Sequence, residues 1–168
     1  MSQPVPRILL VDDSASDALL ARHALHRRFA VDCADSPARA MELLRARRYD
    51  AVVTDYNMPE TNGLALLQWV KAQGLDIPVI VISGYGDDQV AADVLKLGAY
   101  DYVVKSEESL GAIAVAVEHA LRRHELERRA DLLQQIVEHA SDAILTVSPD
   151  ARILTANPSA TALFGLHP

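Results

Sequence analysis

Five short apolar runs punctuate the first two thirds of the chain: Arg7–Asp12, Phe29–Cys33, Ala51–Asp55, Pro78–Ser83 and Tyr100–Lys105. Several are unbroken Val/Ile/Leu stretches, the pattern of strands covered on both faces. Between them lie segments of helical period with their own start and stop signals. Ser14 with Asp17 fits a capping box, and Ser36-Pro37 fits an N-cap followed by a first-turn proline. Gly74 and Gly98 stand where helix C-caps are expected, and Pro78 opens its strand without harming a ladder. Strand and helix in regular alternation predict a doubly wound, five-stranded parallel sheet with helices on both faces.

The pattern changes after Lys105. From Ser106 to about Ala140 the chain is rich in Ala, Leu, Glu and Arg, with Gly111 as its only glycine and no proline. One long helix is expected. Leu126, Ala130, Leu133, Val137 and Ala140 alternate spacings of four and three, a short heptad seam suited to a second copy of the helix. The alternative is a solvated helix whose apolar side rests on its own domain. Beyond it, Asp142–Val147 and Arg152–Ala156 read as two strands joined by the turn Ser148-Pro149-Asp150-Ala151. Asn157-Pro158 then opens a helix. A hairpin and a short helix cannot bury a core alone, so this stretch reads as the start of a second, α+β domain. The expected division is 1–120, a helical linker over 121–140, and a domain fragment over 141–168.

Composition narrows the function. A formal charge of −7 argues against a nucleic-acid surface for the chain as a whole. Cys33 is the single cysteine, which excludes a disulfide framework and a cysteine-based metal site; it is expected as small core filler in a reducing compartment. No stretch has the length of a membrane span, and the N-terminus lacks the form of a signal peptide. A cytoplasmic protein is expected.

Ligands of an open parallel sheet bind beyond the carboxyl ends of its strands. Those ends carry Asp12 and Asp13, Asp55, Ser83 with Gly84, and Lys105. Each residue has an ordinary reading, as cap, turn former, loop filler or surface lysine. With the first, third and fourth strands adjacent, however, three carboxylates meet at one edge. Like charges so close need neutralising. A hard divalent cation with oxygen ligands does this, and magnesium typically takes one or two carboxylates plus water.

The combination of Ile8-Leu9-Leu10-Val11-Asp12-Asp13, Asp55 within DYNMPETNG, Ser83-Gly84, and Lys105 after Tyr102 resembles the receiver domain of two-component response regulators. The resemblance spans about Arg7 to Ala120. It implies a flavodoxin-like strand order 2-1-3-4-5 and a phosphoryl group accepted by Asp55 from the phosphohistidine of a sensor kinase or phosphotransfer protein. It further implies Mg²⁺ on Asp12, Asp13, Asp55 and the backbone carbonyl of Asn57. Ser83 and Lys105 would contact phosphoryl oxygens, and Tyr102 would be the aromatic switch. Asn57 and Tyr85 are candidates for tuning dephosphorylation. Such a receiver is a signalling module rather than a stand-alone enzyme. Ser106 follows Lys105 where the family usually has proline, which bears on the aim of the lysine.

Asp142-Ala143-Ile144-Leu145, Ile153, Asn157-Pro158 and Phe164-Gly165 are similar to the opening third of a PAS sensor domain, with Ala151 where that family usually has glycine. His124-Glu125-Leu126 matches the start of a kinase phosphoacceptor sequence, but Glu127-Arg128-Arg129 breaks the match. A solvent-facing helix histidine is expected there. A haloacid-dehalogenase-like phosphatase would need an acid at Asn57, and a flavodoxin-type cofactor phosphate would be repelled by Asp12-Asp13. The main alternative is an unphosphorylated receiver-like module that serves interaction or dimerisation.

Overall fold

The computed structural model describes residues 4–59, 62–84, 86, 88–106 and 110–165. Two compact units divide between His124 and Glu125.

In the first unit, β1 (Arg7–Val11), β2 (Ala30–Ala34), β3 (Ala51–Asp55), β4 (Val79–Ser83) and β5 (Asp101–Val104) form one sheet in the order β2-β1-β3-β4-β5. Every neighbouring pair is parallel. The connecting helices are α1 (Ala15–Leu25), α2 (Pro37–Ala46), α3 (Gly63–Ala72) and α4 (Asp88–Lys96). The fifth, α5 (Leu110–Glu138), runs 29 residues and crosses from the first unit into the second. The doubly wound sheet and the long helix α5 are as expected from the pattern.

The continuous apolar runs have a direct cause. Successive strand residues point to opposite faces, and both faces are covered. Ile8, Leu10, Val53, Ile80 and Ile82 pack with Ala21 and Leu25 of α1 and with Ile113 and Val117 of α5. Leu9, Val11, Val52 and Val81 pack with Ala40 of α2, Leu66 and Val70 of α3, and Val94 of α4. At about 25 cal/mol per Å² of apolar surface, these two clusters are the main source of stability in the unit. The edge strand β2 departs from the rule, being only partly covered along most of its length. Cys33 sits there, exposed, and is not the core filler expected from its residue type.

Local chemistry starts and stops the helices. Ser14 and Ser36 cap α1 and α2 by accepting from the N–H groups of Asp17 and Arg39. The capping box at α1 is only half made. The Ser14 N–H donates to Asp12 Oδ1 at 3.0 Å rather than to Asp17. Gly74 and Gly98 follow α3 and α4 with φ of +64° and +90°, the left-handed conformation that ends a helix.

In the second unit, β6 (Leu145–Val147) and β7 (Ile153–Ala156) form an antiparallel hairpin followed by α6 (Pro158–Phe164). The strands are mostly exposed. Order comes instead from Asn157, which is buried. Its Oδ1 accepts from the Ile144 and Ala160 N–H groups, each at 2.9 Å. Its Nδ2 donates to the carbonyls of Val137 at 3.1 Å and Asp142 at 2.9 Å. One amide thus joins the end of α5, the hairpin and α6. Ala151, in the hairpin turn, has φ +63°. A glycine would take that conformation without steric cost.

Candidate functional site: an acidic pocket at the carboxyl edge of the sheet

The sheet order makes β1 the switch point, with β2 on one side and β3 on the other. Asp12 follows β1 directly, its N–H bonded to the Ala34 carbonyl at 3.0 Å. Asp55 is the last residue of β3. Both are buried, whereas Asp13 is exposed. A carboxylate oxygen from each of the three lies within 4.8 Å of the others.

The backbone around Asp55 is closely held. Its carbonyl accepts from Thr54 Oγ1 at 3.1 Å, and Gly63 N donates to the Tyr56 carbonyl at 3.1 Å. A Cβ on Gly63 would stand 2.2 Å from the Asp55 carbonyl oxygen. Only glycine lets α3 begin this close to the acid. Asn62 caps the helix through the Ala65 N–H at 3.2 Å. Tyr56 and the start of α3 are thereby held close to the aspartate.

Lys105 answers the question raised by Ser106. Its ammonium lies 2.7 Å from Asp12 Oδ2 and 2.8 Å from Asp55 Oδ1. Among the described residues there is no cis peptide bond, so the aim is achieved through a trans Lys105–Ser106 link. A backbone bond from Lys105 N to the Ser83 carbonyl at 2.7 Å extends the β4–β5 pairing up to the lysine. Burial alone would lower the Lys105 pKa, but its hydrogen bonds to Asp12 and Asp55 outweigh that and raise it. Burial pushes the Asp55 carboxyl upward; Asp12 adds to this, while Lys105 and the Asn57 N–H oppose it. Two buried acids around one ammonium leave net negative charge, and the oxygen-only donor set fits a hard divalent cation.

The other expected residues take these positions. Ser83 ends β4 and is buried. Gly84 follows it, exposed. Asn57 is exposed beside Asp55, and its backbone N–H donates to that carboxylate. Tyr102 lies on β5, partly buried against the α2–α3–α4 cluster. Tyr85 lies outside the described residues. The seam residues Leu126, Ala130, Leu133 and Val137 are all exposed. His124 is not the solvent-facing residue expected. Its side chain is 13% exposed, with Nδ1 3.0 Å from the Tyr100 hydroxyl and Nε2 3.5 Å from Asp76 Oδ1. What covers it is a pair of contacts made across the fold.

One residue of the site escaped sequence reading. Asp17, on α1, places Oδ2 3.2 Å from the Lys105 ammonium. Its position at the third residue after a serine signalled only a helix cap.

Residues 8–118 match the response regulator receiver domain, and residues 131–167 match a PAS domain. The chain belongs to the response regulator receiver family, with a short PAS segment that begins within the last turns of the long helix. It is 39% identical over 118 residues to the two-component response regulator ORR1 of Oryza sativa subsp. japonica, covering 62% of this chain and 51% of that protein. A crystal structure of NtrX from Brucella abortus superposes with a TM-score of 0.72 at 28% identity, over 80% of this chain and 31% of that one. The beryllofluoride-activated NtrC4 receiver domain dimer gives a TM-score of 0.65 at 27% identity, over 70% of this chain and 98% of that one. This chain spans about half or less of the length of the first curated relatives it matches. No helix among the described residues is long and apolar enough to cross a membrane.

Proposed function

We propose that the chain is the phosphoacceptor of a two-component phosphorelay, with Asp55 as the nucleophile. The observation that carries this reading is the convergence of Asp12, Asp55 and Lys105 within 2.8 Å contacts at the ligand-binding edge of the sheet. An Asp55 carboxylate oxygen attacks phosphorus in line as the bond to a donor imidazole nitrogen breaks, leaving an acyl phosphate. The donor is a phosphohistidine on a sensor kinase or phosphotransfer protein. Lys105 and the Ser83 hydroxyl meet the negative oxygens. Asp12, Asp13, Asp55 and the Asn57 carbonyl would hold Mg²⁺, which when bound would supply charge neutralisation. Ser83 moves to the phosphoryl oxygen and Tyr102 turns inward, which biases the surface of α4, β5 and α5. Asn57 and Tyr85 tune the lifetime of the adduct. An unchanged lifetime in Tyr85→Ala removes Tyr85 from that role.

The reading assigns residues 1–120 to the cytoplasmic receiver, 121–140 to a helical linker and 141–168 to the beginning of a PAS-like domain. The helix relays the change, and two copies pair through Leu126, Ala130, Leu133 and Val137. Their exposure, and the dimer recorded for the activated NtrC4 receiver, support pairing. Incubation with beryllofluoride or acetyl phosphate and Mg²⁺ tests the core of the proposal. An adduct that is absent from Asp55→Asn is expected. No adduct on the parent chain favours an unphosphorylated interaction module.

A further inference from the structure

Lys105 has a third carboxylate partner that the family resemblance did not suggest. An ammonium carries three donors, and here they face Asp12 at 2.7 Å, Asp55 at 2.8 Å and Asp17 at 3.2 Å. The Asp17 carboxylate can reach across because the Ser14 N–H does not hold it, although Ser14 Oγ still accepts from the Asp17 N–H. The Ser14 N–H, which a complete capping box would direct to Asp17, donates to Asp12 instead. Of the three acids, Asp17 alone stands outside the triad suited to a divalent cation.

That difference has a consequence for metal binding. A divalent cation on the triad claims oxygens of Asp12 and Asp55 and repels the ammonium they now hold. Lys105 is 17% exposed, so water offers little replacement for the lost partners. Asp17 remains, with its side chain 44% exposed toward the opening. A cavity of about 340 Å³ adjoins both residues, walled by Leu20, Ala21, Ile82 and Ile113, and gives the lysine room to swing.

We propose that Asp17 is a positioning residue that acts through Lys105: it takes the ammonium when a divalent cation occupies Asp12, Asp13 and Asp55, and keeps it beside the site for the phosphoryl group. This rests on the Mg²⁺-dependent reading above. In that role Asp17 lowers the penalty that Lys105 imposes on metal entry. It also prevents the lysine from being lost to solvent.

Calorimetric titration of the whole chain with Mg²⁺ tests this. Asp17→Asn is expected to weaken Mg²⁺ binding about three- to fivefold, the size of a half-exposed charge contact. Asp17→Glu is expected to restore most of it. In a Lys105→Met background the same Asp17→Asn change is expected to have little effect, because its intermediary is gone. An unchanged Mg²⁺ affinity in Asp17→Asn overturns the proposal. So does an Asp17→Asn effect that persists at full size without Lys105, since Asp17 would then act on the cation as a distant charge. Absence of Mg²⁺ binding by the parent chain overturns the underlying reading as well. Binding that is lost in Asp55→Asn but indifferent to Asp17 sinks this inference alone.

Discussion

The two units of the chain are held together by different forces. In the receiver, each face of the sheet is sealed by a cluster of fully buried aliphatic side chains. In the segment after His124, both strands are largely exposed and one asparagine makes the decisive contacts. A unit with a large apolar core can carry a destabilising cluster of acids at its edge. A unit without one depends on local caps and turns, where single hydrogen bonds matter.

The largest test of that contrast is in the core. Ile80→Ala, at a fully buried position, is expected to lower receiver stability by about 3–4 kcal/mol in urea unfolding. Leu154→Ala in the hairpin, where the side chain is 64% exposed, is expected to change stability by no more than about 0.5 kcal/mol. Similar losses at the two sites would erase the distinction.

Asn157→Ala comes next, at about 1–2 kcal/mol, and its effect is local. Amide exchange should accelerate at Ile144 and Ala160, which donate to the asparagine, while exchange at Ile80 stays as it was. Equal acceleration in both units would mean that they unfold together.

Asp55→Asn is expected to stabilise the receiver at neutral pH without divalent cations, as urea unfolding would report. The sign follows from the raised carboxyl. A folded pKa above the ordinary 3.8 means that the fold prefers the protonated acid. The stability this gives is full below 3.8 and is lost as pH rises through the folded value. Removing the charge recovers it, so the variant's advantage should shrink in acid. A less stable Asp55→Asn protein would show that the Lys105 contact outweighs the burial penalty.

Ala151→Gly, which relieves the positive φ in the hairpin turn, should strengthen the second unit by about 0.5–1 kcal/mol. Slower amide exchange within β6 and β7 would report it. A separate, pH-dependent effect lies at the opposite end of the sheet from the acidic pocket. Burial and the bond to Asp32 push the Tyr49 hydroxyl from 10.0 up to about 12. Its contribution should therefore be complete below pH 10.0 and fade toward pH 12. Tyr49→Phe should remove that part of the alkaline decline in stability.

Much of the fold was legible because parallel strands buried on both faces must be continuously apolar, as Leu9–Val11 and Val79–Ile82 are. The acids were legible because each interrupts such a run at its carboxyl end. The long helix α5 was legible because its stretch lacks proline and has a single glycine. Contacts between distant residues were not legible. Cys33 looked like core filler, but its place on the edge strand leaves it exposed. His124 looked like a surface residue, but Tyr100 and Asp76 cover it.

By itself, then, the sequence determined which segments are strands, which are helices, and which carboxylates stand at the sheet's edge, because these depend on neighbours along the chain. Tertiary structure alone decided that Lys105 reaches the acids without a proline behind it, that Gly63 must be small against the Asp55 carbonyl, and that Asp17 leaves its cap to meet the lysine. Each of these joins residues whose meeting depends on how the strands order themselves. No local pattern encodes that meeting, because it is produced by the packing of the whole sheet.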